Sequence, residues 1–337
     1  MALWTDIIDP ATLTGYARAS QEAYEQSKGS LADYLPNQTI NDIVARVTTT
    51  PNGLVETAKF RAYDAEIEPG KLQGGARKII ELPALGQYLA VTEYDQLRLR
   101  NATDQEMLQH IQRTTDTVVT AIEDRMEYMR GVVLATGKAT IDQTNFKTED
   151  DFGRDADMSK TATNLWSTEK ATILDDLQAW QDLYIDKNGE APGAIVTSNK
   201  VLRAIAKAAE FKTQLINGAS RPASTADVQA VLDGYDLPPI RVYDRRVQVN
   251  GVATRVLPET NLFFLPAAGQ SSLGASYWGR TLTSTDLNWG LEGADQAGIV
   301  SGVFRNEKPP VIAEVFGDAI GLPILANANL AFTAKVL

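Results

Sequence analysis

Residues 103–137 read TDQEMLQHIQRTTDTVVTAIEDRMEYMRGVVLATG and predict one long helix. Thr103, with Glu106 three residues later, forms a capping-box pattern at the start, and Gly137 suits the C-cap. Between them one stripe recurs at steps of three and four, at Leu108, Ile111, Thr115, Val118, Ile122, Met126, Met129 and Val133. At 1.5 Å per residue this helix spans roughly 50 Å, so it is either a core helix or a rod that separates two parts of the molecule.

The composition excludes several classes of site. The chain has 337 residues, enough for two or more domains. It has no cysteine and one histidine, which excludes disulfides, thiolate catalysis, cysteine-based zinc sites and paired-histidine metal sites. The net charge of −11 argues against a surface that binds nucleic acid through its phosphates. The first residues do not form a signal peptide, and no apolar run approaches the ~20 residues of a membrane span, so we expect folding in the cytoplasm.

The segments before the helix have few apolar residues of their own. Residues 1–50 predict a short helix opening at Pro10 and a strand over 39–47, and this segment needs another surface to lie on. Residues 54–82 predict a long hairpin, with turn residues over 68–75. Because a two-stranded hairpin is marginal in water, it either joins a sheet or projects onto a neighbouring chain.

The predicted secondary structure changes twice after the helix. Helices and strands alternate from Trp166 to Pro266, with an Asn250-Gly251 hairpin turn, and this mixture predicts a compact α/β or α+β domain. From residue 273 the chain returns to strands, the last of which covers residues 330–336 and is expected to join a sheet.

Motifs that could carry chemistry fail on their context. Gly131 to Lys138 has five residues between its glycines instead of the four of a phosphate-binding loop. Ser167 to Lys170 matches a Ser-x-x-Lys spacing but lacks the partner motifs, so it is interpreted as a helix cap. Asp175 and Asp176 point to different helix faces, His110 has no motif around it, and residues 150–154 do not fit a calcium loop. We therefore predict no catalytic, cofactor-binding or metal-binding residues.

Several stretches resemble a known family. Residues 255–266 (RVLPETNLFFLP) and 273–279 (LGASYWG) resemble a segment of lambda-type tailed-phage major capsid proteins, with Trp278 standing where the family often has Tyr-Gly directly. The close of the chain over 310–336, Leu82-Pro83 and helix residues 125–134 resemble the same family in the same order.

The resemblance implies an α+β, HK97-like capsid fold. It predicts that the long helix is the spine of a peripheral domain, with its stripe on a sheet and with His110 and the helix acids at a surface or interface. The implied divisions are an N-terminal arm over 1–50, an extended loop over 51–84, a peripheral domain over 85–164 with the spine helix at about 103–137, an axial domain over 165–270, and a return to peripheral strands over 271–337.

The resemblance also implies a function. It predicts a non-enzymatic major capsid protein, without cofactors, that assembles through hexamers and pentamers into an icosahedral virion shell enclosing double-stranded DNA. The implied partners are a scaffolding protein, a portal protein, a head maturation protease and a decoration protein, with assembly in the host cytoplasm and no membrane. An encapsulin-type compartment shell and an α+β enzyme with an acidic site are the alternatives. Cross-linking through Lys71 is not favoured. Deletion of residues 1–30 is expected to leave a folded domain but to block shell formation, because the arm contributes contacts between subunits.

Overall fold

The computed structural model describes residues 2–49, 60–61, 63, 66, 76–98, 104–144, 146–216, 223–270 and 272–337. The hairpin predicted over 54–82 is therefore described mainly at its base, and Lys71 lies outside the described residues. The helices are α1 (Pro10–Lys28), α2 (Glu93–Arg98), α3 (Asp104–Thr136), α4 (Ile173–Asn188), α5 (Asn199–Lys207), α6 (Ala209–Ile216) and α7 (Thr225–Gly234).

The strands fall into two larger sheets and three two-stranded ones. They are β1 (Ala2–Leu3), β2 (Asn37–Thr39), β3 (Val44–Thr49), β4 (Ala76–Glu81), β5 (Ala84–Val91), β6 (Lys138–Gln143), β7 (Phe146–Asp151), β8 (Ser159–Thr161), β9 (Ala194–Thr197), β10 (Ile240–Val242), β11 (Arg246–Val249), β12 (Val252–Arg255), β13 (Asn261–Leu265), β14 (Gly274–Trp278), β15 (Val300–Arg305), β16 (Ala313–Leu325) and β17 (Phe332–Lys335).

The predicted long helix is confirmed as α3. Gly137 ends it with a φ of +73°, a left-handed conformation that favours glycine, and its amide donates to the Val133 carbonyl at 2.8 Å. The Arg154 guanidinium donates to the carbonyls of Leu134 at 2.6 Å and Ala135 at 3.1 Å. A partly buried cation thus satisfies carbonyl groups at the negative end of the helix dipole.

The spine helix α3 packs on a six-stranded sheet with the order β1-β15-β16-β14-β2, in which β5 also pairs with β16. The thirteen-residue β16 pairs with β15 and β5 over its first half and with β14 over its second half. Gly317 allows the close approach, because a Cβ there would stand 2.7 Å from Val118 and 2.9 Å from Ile122 of α3. The apolar stripe of the helix therefore covers one face of this sheet.

The second sheet has the order β10-β9-β13-β17-β8 and packs with α4. Its core is aromatic: the Phe332 ring lies 5.5 Å from Phe264 and 5.7 Å from Trp180, and Trp166 stacks on Trp180 at 5.9 Å. The last strand, β17, was expected with the other strands of residues 271–337. It lies here instead, because Phe332 completes this aromatic core.

The N-terminal segment is more tightly packed than its sparse apolar residues suggested. Helix α1 runs for 19 residues, is capped by Asp9, and buries Leu13 and Ala17 against the spine helix and the six-stranded sheet. Thr14 adds a buried hydrogen bond to the Ser301 carbonyl at 3.2 Å. The deletion of residues 1–30 would remove this cover from the chain's own core, so we now expect loss of folding.

Among the helices of the described ranges, none combines the length and the apolar character needed to span a membrane.

Candidate assembly surfaces

A buried charge cluster joins the parts of the molecule. Arg130 of α3 is fully buried, and its guanidinium lies 2.6 Å from Glu123, 2.8 Å from Glu127 and 3.0 Å from Glu25 of α1. The same group donates to Asn37 at 2.6 Å, to Ser276 at 2.9 Å and to Ser30 at 3.1 Å. We call these residues the Arg130 cluster. It connects the N-terminal helix, the spine helix and two strands of the six-stranded sheet.

Two side chains from the segment before β11 extend the cluster. Arg245 pairs with Asp124 of α3 at 2.9 Å and donates to the Gly29 carbonyl at 3.1 Å. The Tyr243 hydroxyl donates to Glu127, whose other oxygen accepts from Ser30 at 2.7 Å. These two residues follow β10, so they link the five-stranded sheet to the spine helix and to the chain just after α1.

Burial sets the protonation of the two carboxylates on the helix. Burial raises the pKa of Glu123 to about 8, against the pull of the Arg130 guanidinium, and the neighbouring Glu25 carboxyl adds to the rise. Burial alone would also raise the pKa of Glu127, but Arg130 and Tyr243 hold it below its usual range. The same buried environment therefore shifts the pKa values of the two carboxyls in opposite directions.

Several large apolar side chains are exposed on elements that are anchored to the rest of the fold. Leu282 is 88% exposed and Leu287 is 96% exposed on the segment between β14 and β15. That segment is anchored beneath them by Trp289, which packs edge-on against Phe316 with ring centroids 5.3 Å apart. Ile79 of β4 and Tyr88 of β5 are 69% and 60% exposed. Exposed apolar groups on rigid supports are typical of protein–protein contact surfaces.

A groove of about 740 Å³ runs between β5, the spine helix and the β6–β7 hairpin. Its walls mix polar and apolar groups, and the apolar side chains include Leu85, Ile122, Met126, Ile141 and Phe146. Arg125 and Asp142 add one cation and one anion to the lining. The groove is partly open to solvent, in contrast to the enclosed cavities that hold small ligands.

The residues considered above as possible catalytic or ligand-binding groups lie in environments set by packing and hydrogen bonds. Gly131 allows close packing, because a Cβ there would stand 2.2 Å from the Val256 carbonyl oxygen. Asp176 accepts from the Trp166 indole at 2.9 Å, whereas Asp175 is exposed, so the two carboxylates are not paired. Ser167 lies in a turn before α4 and does not cap it, because the N-cap is Thr172. His110 is half-buried on α3. The described residues contain no cluster of acidic and histidine side chains fit to hold a metal ion.

Sequence reasoning missed the Arg130 cluster. The helix acids were expected at a surface or interface, but Glu123 and Glu127 are fully buried. The available signal was their spacing: Glu123, Glu127 and Arg130 follow one another at steps of four and three, next to the apolar stripe. Their partners on α1 and near β11 are distant in sequence, and no local pattern points to them.

The chain matches the model of the family described as phage major capsid protein E over residues 33–281. The chain belongs to this family. It is a structural subunit of the capsid shell of a tailed phage, located in the virion capsid, and members of this family associate with themselves and are not enzymes. A search of curated protein sequences returned no significant match.

Solved structures show the same fold as this capsid subunit. A protein assigned as a prophage capsid protein of E. coli CFT073 superposes with a TM-score of 0.67 at 13% identity, covering 98% of this chain and 99% of that one. A phage-related protein of Bordetella bronchiseptica RB50 gives 0.64 at 12% identity, with 99% and 98% covered. A virus-like particle protein of Pyrococcus furiosus gives 0.51 at 12% identity, with 95% and 98% covered.

These comparisons decide between the functions that the sequence left open. The α+β, HK97-like fold and the capsid function are confirmed. The family assignment removes the α+β enzyme alternative, and it supports a phage shell over an encapsulin-type compartment.

Proposed function

We propose that this capsid subunit forms hexamers and pentamers that close into an icosahedral head enclosing double-stranded DNA. The family match over residues 33–281 is the observation that carries this proposal. Closed shells need subunits that present several self-complementary surfaces on a rigid body. The exposed apolar side chains at Tyr88, Leu282 and Leu287 supply such surfaces, and the Arg130 cluster supplies rigidity.

The proposed division of labour follows the two sheets. The six-stranded sheet with the spine helix forms the peripheral domain over 85–164 and 271–337, and residues 1–50 contribute its strands β1 and β2. The five-stranded sheet with α4 to α7 forms the axial domain over 165–270, joined by β8 and β17. Residues 1–50 serve as the arm and 51–84 as the extended loop, and both contribute contacts between subunits.

The acidic charge suits a container for DNA. A subunit with a net charge of −11 repels phosphates on average, so the packed genome stays loosely held and can leave the shell. A scaffolding protein, a portal protein, a head maturation protease and a decoration protein are the proposed partners, and the proposed place of assembly is the host cytoplasm.

Electron microscopy of the expressed chain tests the proposal. Purified subunits, alone and with the scaffolding protein from the same phage, are expected to give hexamers, pentamers or closed shells in negative stain and native mass spectrometry. Native particles should contain DNA and one portal vertex. Subunits that remain monomeric at high concentration under every condition, or native particles filled with protein cargo, would overturn it.

A further inference from the structure

Strand β5 leaves one long edge open. It pairs with β16 along eight residues, and in the described part of the chain no strand pairs with its other edge. Its sequence, ALGQYLAV, contains neither a charged residue nor a proline, the two devices that commonly protect a sheet edge. Eight residues span roughly 27 Å of exposed hydrogen-bonding groups.

The direction of these backbone groups follows from the hydrogen bonds between β5 and β16. The Gly321 amide donates to the Pro83 carbonyl at 3.1 Å, and residues in an antiparallel pair alternate between facing and turning away from the partner strand. Leu85, Gln87 and Leu89 therefore bond to β16. The N–H and C=O groups of Gly86, Tyr88 and Ala90, like those of Ala84, point to the open edge.

The groove of about 740 Å³ lies along the same edge. Gly317 faces Val118 and Ile122 of the spine helix, so Gln87, its register partner, faces the same side and Tyr88 faces the opposite side. A strand added beside β5 would place alternate side chains in this groove, against side chains such as Leu85 and Ile141, and the others beside the exposed Tyr88 ring. Edge and groove thus offer backbone pairing and side-chain burial together.

We propose that the open edge of β5 receives a strand from a second copy of this chain, which extends the six-stranded sheet across the boundary between subunits. The choice of a second copy rests on the proposed function, in which like subunits meet. Charge is in keeping with it: two subunits of net charge −11 repel, and because β5 carries no acid, backbone pairing along this strand does not place acids against acids.

Hydrogen–deuterium exchange at single-amide resolution tests the edge directly. In isolated subunits the amides of Gly86, Tyr88 and Ala90 should exchange fast, while those of Leu85, Gln87 and Leu89 exchange slowly. In assembled shells all six should be slow. Edge amides that stay fast in shells would overturn the proposal, as would edge amides already slow in the monomer, which would show that the chain's own residues cover them.

Three substitutions at Ala90 separate edge pairing from folding. Ala90→Pro removes an outward N–H that β16 does not use, Ala90→Lys adds a charge at the edge and keeps the backbone, and Ala90→Val is the matched control with its N–H intact. We expect Ala90→Lys and Ala90→Pro to weaken subunit association at least about tenfold and Ala90→Val to assemble normally. If Ala90→Pro fails to fold, Ala90→Lys carries the test, and its normal assembly would refute the proposal.

The proposed shell function and the proposed contact at the β5 edge would be refuted by different results. If the unmodified chain never assembles, the proposed shell function fails and the edge is not at issue. If shells form while the edge amides stay exposed, or become protected only when a scaffolding or decoration protein is added, the second copy is the wrong occupant.

Discussion

Arg130 places one guanidinium among three carboxylates in the interior of the subunit. Glu123 and Glu127 reach it from the same helix and Glu25 from the N-terminal helix. A buried ion pair contributes little net stability compared with apolar side chains, but removal of one partner leaves an uncompensated charge. The cluster therefore fixes how α1 sits on α3 more than it adds to stability.

Arg130→Met should destabilise the subunit by about 3–5 kcal/mol, because Glu127 loses its nearer buried countercharge and keeps only Arg245, 3.7 Å away. Arg113→Met is the matched control: Arg113 is exposed on the same helix and should cost less than about 1 kcal/mol. Urea unfolding followed by circular dichroism measures both. Equal midpoints for the two variants would show that the cluster does not hold the fold.

Glu123 should make the subunit less stable as pH rises. Its pKa of about 8 in the folded chain lies above the ordinary carboxyl value of 4.5, so the folded state binds an extra proton between these values. Stability contributed by that proton is complete below about pH 4.5 and is lost as pH rises through about 8. Glu127, with its lowered pKa, acts oppositely and loses its contribution under acid conditions.

Glu123→Gln imitates the protonated carboxyl and should flatten the fall in unfolding free energy between pH 5 and pH 8.5. Glu169→Gln, at an exposed position, should keep the wild-type slope. Denaturant titrations at several pH values provide the comparison. A Glu123→Gln variant that retains the wild-type slope would mean that Glu123 is ionised throughout.

Among the elements, the spine helix approaches the segment after β12 closely. Gly131 lies against Val256, whose carbonyl oxygen would be 2.2 Å from an added Cβ. Gly15 on α1 has open space at the corresponding position. These two helical glycines therefore serve different purposes.

Gly131→Ala should cost about 1–3 kcal/mol, because the helix and the Val256 segment must separate. Gly15→Ala should instead stabilise α1 by about 0.5–1 kcal/mol, since alanine restricts the unfolded chain and meets no atom. Thermal unfolding of the two variants gives the signs. A Gly131→Ala variant as stable as wild type would place Val256 farther from the helix than the fold indicates.

Elements with their own local signals could be predicted from the sequence. The spine helix carries a start signal, a long stripe and a stop at Gly137, and Asn250-Gly251 marks the β11–β12 turn, where both residues have positive φ. The N-terminal helix was underestimated, because its buried face is made of small residues such as Ala17 and gains its partners from β15 and α3. A helix that uses another element's surface leaves a weak pattern of its own.

At the scale of the whole molecule, charge opposes association. Subunits of net charge −11 repel one another beyond their contact surfaces, and salt screens that repulsion. The order of the elements allowed the family and fold to be predicted. The allocation of β8 and β17 to the five-stranded sheet could not be, because it depends on how Phe332 meets Phe264 and Trp180 in three dimensions.

Shell assembly should accelerate when ionic strength rises from about 0.01 M to about 0.1 M, as the screening length falls from about 30 Å to about 10 Å. Light scattering during assembly measures the rate. Sucrose at matched osmolality is the control and should have a much smaller effect. A rate that drops with added salt would show that attractive ion pairs, rather than net repulsion, govern association.

Two of the three parallel pairings among the described strands carry a kinetic consequence. Strand β2 joins β14, with Asn37 beside Ser276, and β8 joins β17, with Ser159 beside Thr333. Each short strand can pair only after a segment distant in the sequence has folded. Contacts of such long sequence separation slow folding. Newly made subunits should therefore mature gradually before they become competent to join a shell.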